Sequence, residues 1–97
     1  MPKRPRPRYY QDPPLKVFGE RVRLLREARG WSQMELGHQA DRHFTYLSSL
    51  ERGGRHATLI TFLRLGKALD VDPAVFITTD EGHVRREVAR LKRLAAK

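Results

Sequence analysis

The chain has 97 residues, no cysteine, and 20 Lys+Arg against 11 Asp+Glu, a formal net charge of +9. That length suits one domain with a modest core, and the lack of cysteine excludes a disulfide scaffold, a thiolate zinc site and a thiol nucleophile. So basic a balance points to a polyanion such as nucleic acid without naming it.

Residues 1–14 carry four basic side chains, one acidic one, and five of the six prolines. Pro2, Pro5, Pro7, Pro13 and Pro14 oppose a helix and favour extended, solvated chain. This stretch reads as a flexible arm, either a solubility tail or an arm that touches DNA. No apolar run follows the basic start, so a secretory signal is not expected. No window approaches the ~18–20 apolar residues of a membrane span. The expected compartment is the cytoplasm, on the nucleoid.

From Leu15 the pattern turns helical. Phe18, Val22 and Leu25 recur at i, i+4 and i+7, widened by Leu24 and Ala28, and Gly30 marks the end of a first helix over about Leu15–Arg29. Ser32-Gln33-Met34-Glu35 is a capping box for a second helix reaching Ala40, with Met34, Leu36, Gly37 and Ala40 facing inward. A third helix spans His43–Arg52, with Leu47 and Leu50 inward and Gly53-Gly54 as its stop. Thr58 caps a fourth, whose apolar set is Leu59, Ile60, Phe62, Leu63, Leu65 and Leu69. Asp72-Pro73 opens a short fifth helix through Phe76 and Ile77. A last amphipathic stretch carries Val84, Val88, Leu91 and Leu94 or Ala95 among arginines. No segment alternates as a strand does, so the fold class is all-α.

Two short helices joined by about three residues and followed by Glu51-Arg52-Gly53 suggest a helix-turn-helix. Close crossing needs a small residue on the second helix, which Gly37 supplies. Phe44, Thr45, Ser48 and Ser49 are left outward on the third.

The pieces Gly19 to Arg26, Trp31 to Gly37, Thr45 to Gly53 and Leu65 to Val71 resemble, in order and spacing, the Cro/lambda-repressor-like (XRE) DNA-binding family. Within it, His43 to Leu47 followed by Leu50 to Gly53 is most similar to restriction–modification controller proteins. The resemblance implies a compact five-helix domain over residues 15–78, preceded by the arm (1–14) and followed by a basic C-terminal helix (79–97). Two positions depart from the family: Asp41 stands where the turn usually has glycine, and Arg42 where an apolar residue follows. Asp tolerates the left-handed conformation, and Arg42 can lay its stem on the core with its head in water.

The resemblance also implies site residues. With the third helix in the major groove, the base readers are Phe44, Thr45, Ser48, Ser49 and, beyond the helix, Arg55. Phe44 would meet thymine methyls; its other reading is a partly buried ring supporting the turn. Ser32, Gln33, His43, Tyr46, Arg52 and His56 are the phosphate set. Gln33 stands at a helix start that favours anions, and Tyr46 could equally wedge against the second helix. Arg26 and Glu51 are expected as an internal ion pair. Trp31, Leu25, Leu36, Leu50, Phe62, Leu63 and Leu69 are expected in the core.

Family members dimerise on palindromic sites, so Val75, Phe76, Ile77, Val88 and Leu91 are expected at a homodimer interface. The last helix could serve its own core or a second subunit. His38 and His43 lack further ligands, so no metal site is expected, nor any cofactor or active site. The resulting function is a sequence-specific transcriptional regulator, such as a repressor, bound to double-stranded operator DNA as a homodimer. The alternative is an antitoxin that autoregulates its operon and holds a cognate toxin protein.

Overall fold

The computed structural model describes residues 13–97 as five α-helices and one 3-10 turn, with no strand among the described residues. They are α1 (Pro13–Ala28), α2 (Gln33–Ala40), α3 (Phe44–Glu51), α4 (Leu59–Leu69), the 3-10 turn (Pro73–Phe76) and α5 (Glu81–Ala95). The arm expected over residues 1–12 lies outside the described residues. Pro13 and Pro14 belong to α1, two residues ahead of the expected start. A first-turn proline loses no helical hydrogen bond, because its N–H would have no partner there.

Phe18, Val22, Leu25 and Ala28 form the buried stripe of α1. Phe18 meets Phe76 edge-on at 5.6 Å and Phe62 edge-on at 6.1 Å, geometries that the aromatic quadrupole favours. These rings tie α1 to α4 and the 3-10 turn. α2 buries Leu36, Gly37 and Ala40, and α3 buries Leu47 and Leu50. Gly19 lets α1 meet the end of α3 closely: a Cβ there would lie 2.8 Å from the Glu51 carbonyl oxygen.

Several apolar residues expected inward are not. Met34 is 67% exposed, because it sits about 200° around α2 from Leu36. Leu63 is exposed for the same reason, two residues from Leu65. The buried stripe of α4 is Thr61, Leu65 and Leu69, which leaves Leu59 and Ile60 exposed as well. Leu24 also faces outward. Trp31 is half-buried, with the Arg29 guanidinium 4.7 Å from its ring.

The expected fifth helix is a single 3-10 turn ending at Phe76. Its Val75 and Phe76 are fully buried in the chain's own core, as is Leu91 of α5, so these three present nothing to a second subunit. Val88 is half-buried, and Ile77, 65% exposed, is the outward one of the five.

α5 packs in cis along α1 and runs in the same direction. At its start, Arg21 donates to the carbonyls of Val75 (3.0 Å) and Thr78 (2.7 Å) and to Glu81 (3.0 Å). At its end, the Ala95 methyl lies 3.9 Å from where a Cβ on Gly30 would sit. Midway, Arg90 bonds Glu87 (2.8 Å) and reaches Asp70 at the end of α4 (3.5 Å). Asp80 caps the helix by accepting from the His83 amide at 3.1 Å, which holds its carboxyl below the usual carboxylate range.

Candidate nucleic-acid interface

The frame of this surface is built on α2. Ser32 accepts from the Glu35 amide (3.0 Å) while Glu35 accepts from the Ser32 amide (3.2 Å), a complete capping box. The helix ends at Asp41, which adopts the left-handed conformation (φ 55°, ψ 52°), and the Arg42 amide closes the turn on the Gly37 carbonyl at 2.8 Å. Asp therefore does the work of the usual glycine.

Arg42 does not hold its head in water as expected. Its Nε and Nη2 donate to Thr61 Oγ1 at 3.0 and 2.8 Å, and its Nη1 to the Asp41 carbonyl at 2.7 Å. Thr61 is buried, so its hydroxyl must find a partner. The polar pair joins the turn to α4 where an apolar contact would otherwise stand. One-dimensional pattern could not reveal it, since the partner lies 19 residues on.

The far end of α3 is fixed by a buried ion pair. Arg26 Nε and Nη2 reach Glu51 Oε2 and Oε1 at 2.7 and 3.0 Å, and Arg26 Nη1 donates to the Trp31 carbonyl at 2.7 Å. The Glu51 bond and charge hold the Arg26 guanidinium more firmly protonated than usual. Gln33 adds a third donor, Nε2 to Glu51 Oε1 at 3.0 Å. The amide of Gln33, expected to meet phosphate, is thus engaged with Glu51 in this structure.

On that frame α3 begins at His43, whose Nδ1 accepts from the Thr45 amide (3.2 Å) and lies 2.8 Å from the Thr45 hydroxyl. Phe44 is exposed and its ring lies 4.7 Å from that of His43; it does not support the turn from within. Thr45 is exposed, and Ser48 and Ser49 are half-buried. Arg52 donates to the Ser48 hydroxyl. Tyr46 turns away from α2: its hydroxyl donates to the His56 carbonyl (3.2 Å), and the Arg55 guanidinium lies 5.0 Å over its ring. Residues from both expected sets therefore come together in pairs at one surface.

Among the described residues there is no cluster of His, Asp or Glu that could hold a metal ion, and no helix is long and apolar enough to cross a membrane.

A family profile described as a helix-turn-helix domain matches residues 17–76. The control protein C.BamHI of Bacillus amyloliquefaciens is 40% identical over 58 residues, 59% of this chain and 72% of that protein. The crystal structure of the restriction–modification controller protein C.AhdI from Aeromonas hydrophila is 40% identical, covers 62% of this chain and 91% of its own, and superposes with a TM-score of 0.61. The tetramer of the controller C.Esp1396I, solved on its natural 35 base-pair operator, shares the fold at a TM-score of 0.64 and 23% identity, over 81% of this chain and 99% of its own. The chain belongs to the helix-turn-helix family of the Cro/lambda-repressor (XRE) type, and is a transcriptional regulator related to the restriction–modification controller proteins.

Proposed function

We propose that the protein binds a specific double-stranded operator as a homodimer, with α3 in the major groove. The observation that carries this reading is the exposed start of α3, Phe44 and Thr45, held on a frame tied at one end by Arg42–Thr61 and at the other by Arg26–Glu51. Specificity needs such rigidity, because a base contact is worth little if the helix carrying it wanders. Thr45 offers a hydroxyl and a methyl, Phe44 a surface for thymine methyls, and Arg55 a fork suited to guanine. His43, Arg52 and His56 flank them and suit phosphate, as do the first-turn amides behind Ser32.

With Val75, Phe76 and Leu91 covered, the dimer face moves to Ile77 and α4. Leu59 and Ile77 line one open apolar hollow, Leu63 lies one turn beyond Leu59, and Ile60 stands beside it. One helix-turn-helix reads few base pairs, and a second copy ~34 Å away supplies the other half-site. The operator-bound C.Esp1396I tetramer supports an assembly on DNA.

Selection of bound duplexes from a random pool, followed by sedimentation of the complex, tests this. The expected result is an enriched near-palindrome carrying two copies. A pool that stays random after selection would overturn the reading.

A further inference from the structure

α5 begins after the stretch that the family profile matches, which ends at residue 76. Its inner face is explained by Val84 and Leu91, which cover α1. Its outer face is not. Residues 81–97 hold six basic and two acidic side chains. Arg85, Lys92, Arg93 and Lys97 are exposed there and form no ion pair among the described residues.

The two ends of α5 occupy different places. Its start is held by Arg21 beside Ile77 and so adjoins the apolar face assigned to the second copy. Its end rests against Gly30, three residues before Gln33 and two before the Ser32 cap of α2. The same end lies by the last residues of α4, where Arg29 donates to the Leu69 carbonyl at 3.2 Å and Arg90 reaches Asp70. The apolar face, by contrast, is built from the first turns of α1 and α4. The end of α5 is therefore beside the first turn of α2 and at the opposite end of α1 and α4 from the second copy.

We infer that Lys92, Arg93 and Lys97 form a phosphate clamp on the duplex flanking each half-site, on the side away from the dimer axis. The inference rests on the operator reading above. Its chemistry is that of DNA backbone phosphates met by mobile ammonium and guanidinium groups, so it adds affinity and salt dependence without reading sequence. The partner is DNA that lies outside the bases read by α3.

The test uses the full chain and a selected duplex in two lengths, trimmed to the operator core or carrying ten further base pairs on each side. Each duplex is titrated across salt with the wild type and with Lys92→Ala/Arg93→Ala/Lys97→Ala. The triple variant should lower the slope of log K against log salt by about 2–3 on the long duplex, roughly 0.9 for each lost phosphate contact. On the core duplex the slope should not change. Loss of slope on both lengths, or on neither, would overturn the clamp. Arg85→Ala, at the other end of the same face, should leave the slope unaltered; an equal loss per charge would assign the effect to net charge and not to position. If selection enriches no duplex, the operator reading has failed by itself. The clamp is then decided on an arbitrary long duplex, where an unchanged slope overturns it.

Discussion

Arg26 and Glu51, 25 residues apart, meet as a two-pronged ion pair at 2.7 and 3.0 Å, with only 11% and 3% of their side chains exposed. Burial makes this pair costly to form and more costly to break. Glu51 Oε1 accepts from both Arg26 and Gln33, so removing the guanidinium leaves a carboxylate with one remaining side-chain donor in a site poor in water. Arg26→Ala should therefore destabilise the fold by about 3–5 kcal/mol, far beyond a surface pair. Urea unfolding followed by circular dichroism measures it. A loss under about 1 kcal/mol would show that the pair is solvated.

Gly19 presents a steric test of how α1 meets α3. The obstacles to a Cβ are the backbone carbonyls of Leu50 and Glu51, which cannot rotate aside as a flexible side chain would. Gly19→Ala should cost stability even though alanine is the better helix former by about 1 kcal/mol. A variant with a raised melting temperature would contradict the packing of these helices.

Asp80 provides a pH test confined to α5. Its carboxyl is held below the ordinary value chiefly by the His83 amide. Because the folded value is the lower one, the cap contributes stability above the unfolded value, near 3.9. That contribution is lost as pH falls through the folded value. The stability difference between wild type and Asp80→Ala should thus be constant at neutral pH and shrink on acidification below about pH 4. Thermal melts across that range check the sign; a difference that grows in acid would contradict it.

At the DNA face, Thr45→Ala should relax base preference by roughly 1–3 kcal/mol while sparing binding to unrelated duplex. Arg52→Ala, if it loses a phosphate contact, should weaken both equally and lower the salt slope by about 0.9. Binding titrations on a selected and a scrambled duplex separate the two patterns. The same loss on both duplexes for Thr45→Ala would remove it from the base readers.

Leu63→Asp puts a charge on the exposed apolar face of α4 without touching its buried stripe. It should yield a folded monomer with weakened operator binding, seen by sedimentation. An unchanged dimer would move the interface elsewhere.

The sequence by itself determined the local punctuation of the helices. Ser32 with Glu35, Thr58, Asp72 with Pro73, and Gly30 all act within a few residues of themselves, so their hydrogen bonds can be read from spacing alone. The left-handed turn at Asp41 was legible for the same reason. Spacing also placed the outward start of α3 and, through the family resemblance, the Arg26–Glu51 pair.

Only the tertiary structure decided which apolar residues are covered and by what. Met34, Leu59, Ile60 and Leu63 are no less apolar than Leu36 and Leu65, yet they face away from the neighbouring helices. Val75, Phe76 and Leu91 look like available interface residues until α1 is seen to lie over them. Arg42 reads as a surface charge until Thr61 appears beneath it. The basic total behaves in the same way, since the structure divides it into arginines that hold the fold (Arg21, Arg26, Arg42, Arg90) and those left at the surface. Periodicity fixes a side chain's angle about its own helix axis. Burial and pairing depend on where a second element lies, and that is set by contacts between residues tens of positions apart.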